Sequence, residues 1–379
     1  MHSIFLVQED IVMPYFCKYF RRLEDRLRLE QGFATPILPL KVPFPAGKSA
    51  YDSGIAWWLA QCSNLVYENK ITVAFELKDV GFDSILFFDT QGTQAFLATH
   101  PGVDGGGKFA VLAFRGTEED SIDILTDINF VKRLFPDENL LENAGLKENS
   151  IAKLPKLYAH GGFVAGIENI WGTAVSKEIE DLYNEPNQKV NWLGLPGVSN
   201  ALLDLYQQPN DTALYITGHS LGGALATLAA YKSLVYEKSF YITALYTFGS
   251  PRTVQQALAK KIAQKFDGRS HRIVNGIDVV PRLPPRVPVL LDFSHINKLV
   301  YFSKNRHRKV KTFWGEDTIV LLILIVEFML TLITRLISTI LSLVGIPVKP
   351  YTPVTIKKHM ITEYIRDLEI DLKITSRRK

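Results

Sequence analysis

Gly218-His219-Ser220-Leu221-Gly222 follows a short apolar run, Ala213 to Thr217, and precedes a small-and-apolar run of helical periodicity from Gly223 to Val235. Strand, sharp turn and helix form the setting in which Gly-x-Ser-x-Gly acts as a nucleophile elbow. The turn is so tight that side chains at 218 and 222 would collide with the neighbouring strand and helix. It lifts the Ser220 hydroxyl off the sheet edge and aims a helix start at it. The unpaired N–H groups there favour developing negative charge. This is the chemistry of attack on an acyl carbon, and it needs a base together with a carboxylate that holds the base in one tautomer.

With an elbow of this kind the carboxylate and then the histidine follow the serine along the chain. Asp278 lies just past the end of a strand read at Arg272-Ile273-Val274-Asn275 and is taken as the carboxylate. Beyond it stand His295, His307 and His359. His307 sits in Arg306-His307-Arg308-Lys309, whose charges disfavour an imidazolium, so His295 and His359 stay open as the base. The oxyanion needs two preorganised donors, one from the residue after the nucleophile and one from an earlier strand–helix loop. Leu221 supplies the first. Thr117 is expected to supply the second, because Gly116 lets the backbone approach closely and the Thr117 hydroxyl adds a further hydrogen bond. The mechanism implies no metal and no organic cofactor.

Elements must place these residues at one edge of a sheet. Ser53 to Tyr67 reads as a helix whose apolar face is Ile55, Trp58, Leu59, Cys62 and Leu65. Residues 85–88 and 94–98 read as two strands joined by a turn through Asp89-Thr90-Gln91-Gly92. Phe109 to Phe114 is a continuous apolar run, as expected of a strand covered on both faces. A helical stretch follows His160-Gly161-Gly162-Phe163. After the elbow come a strand from Tyr241 to Phe248, a helix from Val254 to Phe266 and a strand at 272–275. Strands alternating with helices, with polar residues gathered at strand C-termini, indicate an α/β class: a mainly parallel, doubly wound sheet with helices on both faces.

Composition narrows the partners. The chain has 379 residues, 47% of them hydrophobic and 22% charged, which describes a globular protein with a full core. A formal net charge of +4 is small for this size and argues against nucleic acid. Cys17 and Cys62 give neither a disulfide framework nor metal-ligand spacing. Ile4-Phe5-Leu6-Val7, followed at once by Gln8-Glu9-Asp10, is too short for a signal peptide. The expected location is therefore cytoplasmic or peripheral to a membrane, or outside after a non-classical export. Residues 1–45 are read as a helical lead-in and Pro-rich connector, and 46–379 as one domain.

The chain resembles the class 3 lipases, the fungal-lipase-like branch of the α/β-hydrolases. The segments that carry the resemblance run in family order across about residues 50 to 300. They are Ala56-Trp57-Trp58-Leu59-Ala60; Ala113-Phe114-Arg115-Gly116-Thr117 with Asp127 beyond it; His160-Gly161-Gly162-Phe163; the elbow extended to Ala226; Phe248-Gly249-Ser250-Pro251-Arg252; and Asn275 to Pro285. The resemblance implies a serine ester hydrolase acting on lipid carboxylic esters, triacylglycerol lipase-like. Phospholipase A1 or another acyl hydrolase is the alternative, and a non-catalytic membrane-associated binding protein the remote one. It implies the Arg-Gly-Thr loop as oxyanion donor and Asp278 in the triad. It also implies that the base is the later histidine, His359, just before an aromatic-containing C-terminal helix. His295 matches a recurrent family histidine that is not the base. His160 and His219 are expected to be structural hydrogen-bonding groups near the site.

One stretch departs from the family. Residues 318–348 form an apolar stretch interrupted by the charges of Glu327 and Arg335. By length they could span a bilayer, yet one crossing between Ser220 and His359 would split the triad. Such a span therefore requires His295 as the base. The polar residues of the stretch, Glu327 through Ser342, fall within an arc of roughly 140°. That favours an interfacial helix or lid over a buried hairpin. Arg306 to Lys309 and Lys311 would favour anionic head groups. The expected partner is a lipid ester substrate at a membrane or lipid-droplet interface, with peripheral membrane association through 318–348.

Overall fold

A computed structural model describes residues 42–90, 92–103, 106–116, 132–135, 157–172, 197–207, 212–236, 241–266, 268–284, 292–296, 298–302, 308–309 and 358–376, together with nine helical positions between 326 and 342. The chain divides into one unit of Met1–Val42 and another of Pro43–Lys379, and all the described helices and strands belong to the second.

Among the described residues the main sheet has eight strands. β1 (Ser84–Thr90) and β2 (Thr93–His100) form the expected hairpin, with Thr90 opposite Thr93. β2 pairs antiparallel with β3 (Phe109–Phe114). From there β6 (Ala213–His219), β7 (Ile242–Phe248), β9 (Ser270–Asn275) and β11 (Lys298–Phe302) add in parallel. β12 (Arg308–Lys309) closes the edge antiparallel, which gives the order β1-β2-β3-β6-β7-β9-β11-β12. A second sheet joins β10 (Phe293–Ser294), β8 (Val254–Gln255), β5 (Tyr158–His160) and β4 (Lys132–Leu134), in that order. The class is α/β, as the alternation of elements indicates.

Every residue of β3, β6 and β7 is buried, so these strands lack an alternating polar face. Helices cover both sides. Leu214 and Ile216 point into a cluster with Leu225, Leu228 and Ala229 of α5 (Leu221–Tyr236). Thr217, of opposite parity, meets Ser63 Oγ at 2.9 Å and so faces α1 (Ser53–Leu65). Asp52 starts α1 by accepting from the N–H groups of Gly54 and Ile55 at 2.8 and 3.1 Å. The sequence suggests one apolar face for this helix, but Ala56, Trp57, Ala60 and Ser63 are buried as well. The reason is a third layer. The C-terminal helix α7 (Ile361–Ser376) packs on α1, where the Ser53 hydroxyl donates to Asp371 at 2.5 Å.

The remaining helices are α2 (Lys70–Asp79), α3 (Gly161–Trp171), α4 (Val198–Gln207) and α6 (Gln256–Phe266). The helix expected from Val254 begins two residues later, because Val254 and Gln255 pair with β10. Cys62 is buried, and burial pushes its thiol up to about 12, so it packs as an apolar side chain.

Candidate active site

Ser220 sits between the end of β6 and the start of α5 with φ 56°, a left-handed conformation that non-glycine residues seldom hold. The surrounding chain enforces it: the Ser220 N–H donates to Phe248 O at 3.0 Å and the Gly223 N–H donates back to Ser220 O at 2.9 Å. The flanking glycines have a steric reason. A Cβ on Gly218 would lie 2.2 Å from Gly222 O, and one on Gly222 would lie 2.2 Å from Phe114 O. The turn therefore fits directly over the end of β3, where Arg115 and Gly116 begin.

Asp278 follows β9 on a short turn closed by its own N–H to Asn275 O at 2.9 Å. It is fully buried, and both carboxylate oxygens hold donors. Oδ1 accepts the Val280 N–H at 2.9 Å. Oδ2 accepts from His359 Nδ1 at 2.9 Å and from the Tyr364 hydroxyl. His359 lies just ahead of α7 and is 3% exposed. Its other ring nitrogen, Nε2, has no hydrogen-bond partner among the described residues. Ser220 Oγ is also buried without one. Buried polar atoms left in this state carry a free-energy cost and call for an explanation.

Gly249 is what lets the pair close. It has φ 58°, and a Cβ there would fall 2.9 Å from the His359 ring and 3.0 Å from Asp278 Oδ2. The close approach explains why Phe248 is followed by glycine.

A second set of bonds holds His359 from behind. His219 Nε2 lies 2.6 Å from the His359 carbonyl, so Nε2 carries the proton and donates. Nδ1 is then an acceptor and receives a hydrogen bond from the Tyr67 hydroxyl at 3.0 Å. Burial, and then the neighbouring His359, hold the His219 ring well below the usual histidine range, so it stays neutral. The hydrogen-bonding role expected for His219 is the one observed. His160 differs. It is buried, neither ring nitrogen has a partner, and its face stacks on Phe163 at 4.1 Å. Burial lowers its pKa to about 4, and it packs as an aromatic rather than bonding as expected.

His295 is not at the carboxylate. Its Nε2 bonds to Pro281 O at 2.6 Å, and burial with the charges of Arg272, Arg252 and Arg282 pushes its pKa well down. Asp278 and His359 meet directly, and the Ser220 backbone is tied to Phe248, next to the glycine over which that pair closes. Thr117, Asp127 and His307 lie outside the described residues. Tyr67, two residues past the end of α1, carries no signal in the sequence that marks it for the site, and Tyr364 is marked only as an aromatic of the C-terminal helix.

Residues 111–287 match the family described as lipase (class 3). That segment belongs to the class 3 lipase family. The strand–elbow–helix and the parallel sheet around it make its architecture that of an α/β-hydrolase. A secreted mono- and diacylglycerol lipase of Fusarium solani is 46% identical over 72 residues, 19% of this chain and 20% of that protein. One of Malassezia restricta is 36% identical over 107 residues, 28% of this chain and 34% of that protein. The matched stretches thus span between a fifth and about a third of these relatives. Among solved structures, a triacylglycerol lipase described as having a serine protease triad is 20% identical, with TM-score 0.48 over 72% of this chain and 91% of that one. A lipase from Rhizopus microsporus var. chinensis is 18% identical, with TM-score 0.44 over 71% and 82%.

Proposed function

We propose that the protein is a serine ester hydrolase acting on lipid carboxylic esters. The observation that carries this reading is the 2.9 Å contact between His359 Nδ1 and Asp278 Oδ2. It leaves His359 Nε2 and Ser220 Oγ as two buried groups awaiting a partner. In this reading Ser220 Oγ attacks the ester carbonyl carbon while its proton passes to His359 Nε2. The N–H groups of Leu221 and Thr117 hold the oxyanion. Collapse of the tetrahedral species expels the alcohol, which leaves with the proton from His359. Water, deprotonated by the same nitrogen, then releases the acid from Ser220. Asp278 orients the ring and stabilises the imidazolium.

Ser220→Ala is expected to lower kcat on p-nitrophenyl esters by several orders of magnitude, roughly 10⁶-fold. It should also abolish labelling by a fluorophosphonate. A variant that kept most of its turnover, or a wild type that resisted the label, would sink the reading. The names of the relatives support glycerides as the substrate class. Hydrolysis of a diacylglycerol measured against a phospholipid separates this from phospholipase A1.

The same reading places the substrate at a lipid surface. No helix among the described residues is long and apolar enough to cross a membrane. In 318–348, Val326, Leu330, Ile333 and Ile337 are helical and 42–58% exposed. Their spacing puts them on one stripe, the pattern of a helix lying in an interface. Leu330→Glu combined with Ile333→Glu is expected to reduce co-flotation with anionic vesicles at least about tenfold, while hydrolysis of a soluble ester stays near wild type. Unchanged flotation would remove this segment from the interface.

A further inference from the structure

A cavity of about 350 Å³ lies between the α1–α2 link and the β1–β2 hairpin. Its volume falls within the range of small-ligand sites. On the α1 side of the sheet Val66, Val73 and Phe96 form an apolar floor and are each at most 5% exposed, with half-buried Phe87 beside them. The rim is charged but internally paired. Lys70 meets Asp89 at 3.1 Å, and the Arg115 guanidinium donates to Gln94 Oε1. A floor without hydrogen-bonding partners holds water poorly. The charged groups of the rim, Glu68, Lys70, Asp89 and Arg115, are of both signs and sum to zero, which offers little to a charged head group.

The wall toward the catalytic serine is Tyr67. Its hydroxyl bonds to His219, the residue before Ser220. A Cβ on Gly116 would fall 2.1 Å from that same hydroxyl, so the loop leading to Thr117 lies against the tyrosine. The cavity and the candidate oxyanion loop therefore share Tyr67 and Arg115. We propose that the cavity receives the acyl chain of the ester, with the carbonyl carbon at Ser220 and the chain running past Gly116 beneath the α1–α2 link. The space equals about a dozen waters at roughly 30 Å³ each, which suits a chain on the order of ten carbons. This assignment rests on the ester-hydrolase reading and adds to it a chain-length rule, with Val73 and Phe87 as the residues that set it.

The test compares kcat/KM for p-nitrophenyl butyrate and p-nitrophenyl decanoate in wild type, Val73→Trp and Phe87→Ala, each checked by circular dichroism. Filling the floor with Val73→Trp should lower the decanoate-to-butyrate ratio by at least about tenfold, the scale on which a pocket reads methylenes. Opening it with Phe87→Ala should move the preferred chain toward longer esters. A small ethyl fluorophosphonate reports separately on whether Ser220 is activated. If wild type takes the label and neither variant changes the chain-length ratio by more than about twofold, the acyl assignment is wrong and the hydrolase stands. If wild type takes no label, the hydrolase reading fails and the chain-length rule falls with it. Should Val73→Trp not fold, Phe87→Ala alone decides, since Phe87 is partly exposed and an unchanged profile there overturns the assignment.

Discussion

Gly249 is the position where a single methyl group would press directly on the His359–Asp278 pair. A Cβ there meets the His359 ring and the Asp278 carboxylate at once, and the φ of 58° adds backbone strain for any other residue. Gly249→Ala is expected to push the imidazole off the carboxylate by a fraction of an ångström or more. Misplacements on that scale cost roughly 10²-fold in turnover. The check is kcat on a soluble ester beside an unfolding curve. Wild-type kcat in a folded variant would mean that the pair relocates without consequence. Ser220 shows the complementary case, a side chain kept in a conformation that glycine prefers. Its strain of about 1–3 kcal/mol persists because two backbone hydrogen bonds and two glycine contacts over-determine the turn.

At the scale of elements, three segments far apart in the chain supply the three residues of the proposed triad. The elbow between β6 and α5 carries Ser220, the turn after β9 carries Asp278, and the start of α7 carries His359. α7 does more than present the histidine. Tyr364, one turn in, donates to Asp278 Oδ2 while the Asn275 N–H donates to its oxygen at 3.3 Å. Burial and the carboxylate hold this phenol well above its usual range, so it stays a donor. Tyr364→Phe leaves Asp278 with His359 Nδ1 and the Val280 N–H. The expected result is a kcat lowered about tenfold with KM little changed, because the missing donor stabilises the charge that pairs with the imidazolium. A rise in KM alone would show that α7 shapes binding rather than the triad.

For the whole molecule, histidines held below their usual range contribute to the response to acid. His160 has a folded pKa of about 4, below its unfolded value of about 6.5. Such a group binds fewer protons folded than unfolded. Its contribution to stability is complete above pH 6.5 and is lost as pH falls toward 4. His219 and His295 are shifted in the same direction by burial, first of all, and add to the loss. His160→Phe keeps the stack on Phe163 and removes one of these protonations. It should shrink the stability lost between pH 7 and pH 5 by about 2 kcal/mol in urea unfolding, and an unchanged pH dependence would show that His160 gains solvent before it gains a proton.

Local chemistry was legible in the amino-acid sequence because it is written in neighbouring residues. Glycines two either side of Ser220 specify a turn that no larger side chain survives, and the all-apolar run 109–114 specifies a strand covered on both faces. Chain order then reduced the carboxylate to Asp278 and the base to two histidines. The resemblance pointed to His359, but which imidazole meets Asp278 is a matter of tertiary structure. His359 does so across 81 residues, while His295 bonds to a backbone carbonyl. The same holds for Tyr67 and Tyr364, ordinary helix-end tyrosines until packing puts one hydroxyl on His219 and the other on Asp278. It holds for Gly249, whose missing side chain matters only once α7 has docked on α1. Periodicity records which face of an element is apolar, but which distant polar atoms share a buried site is decided by how the layers close over one another.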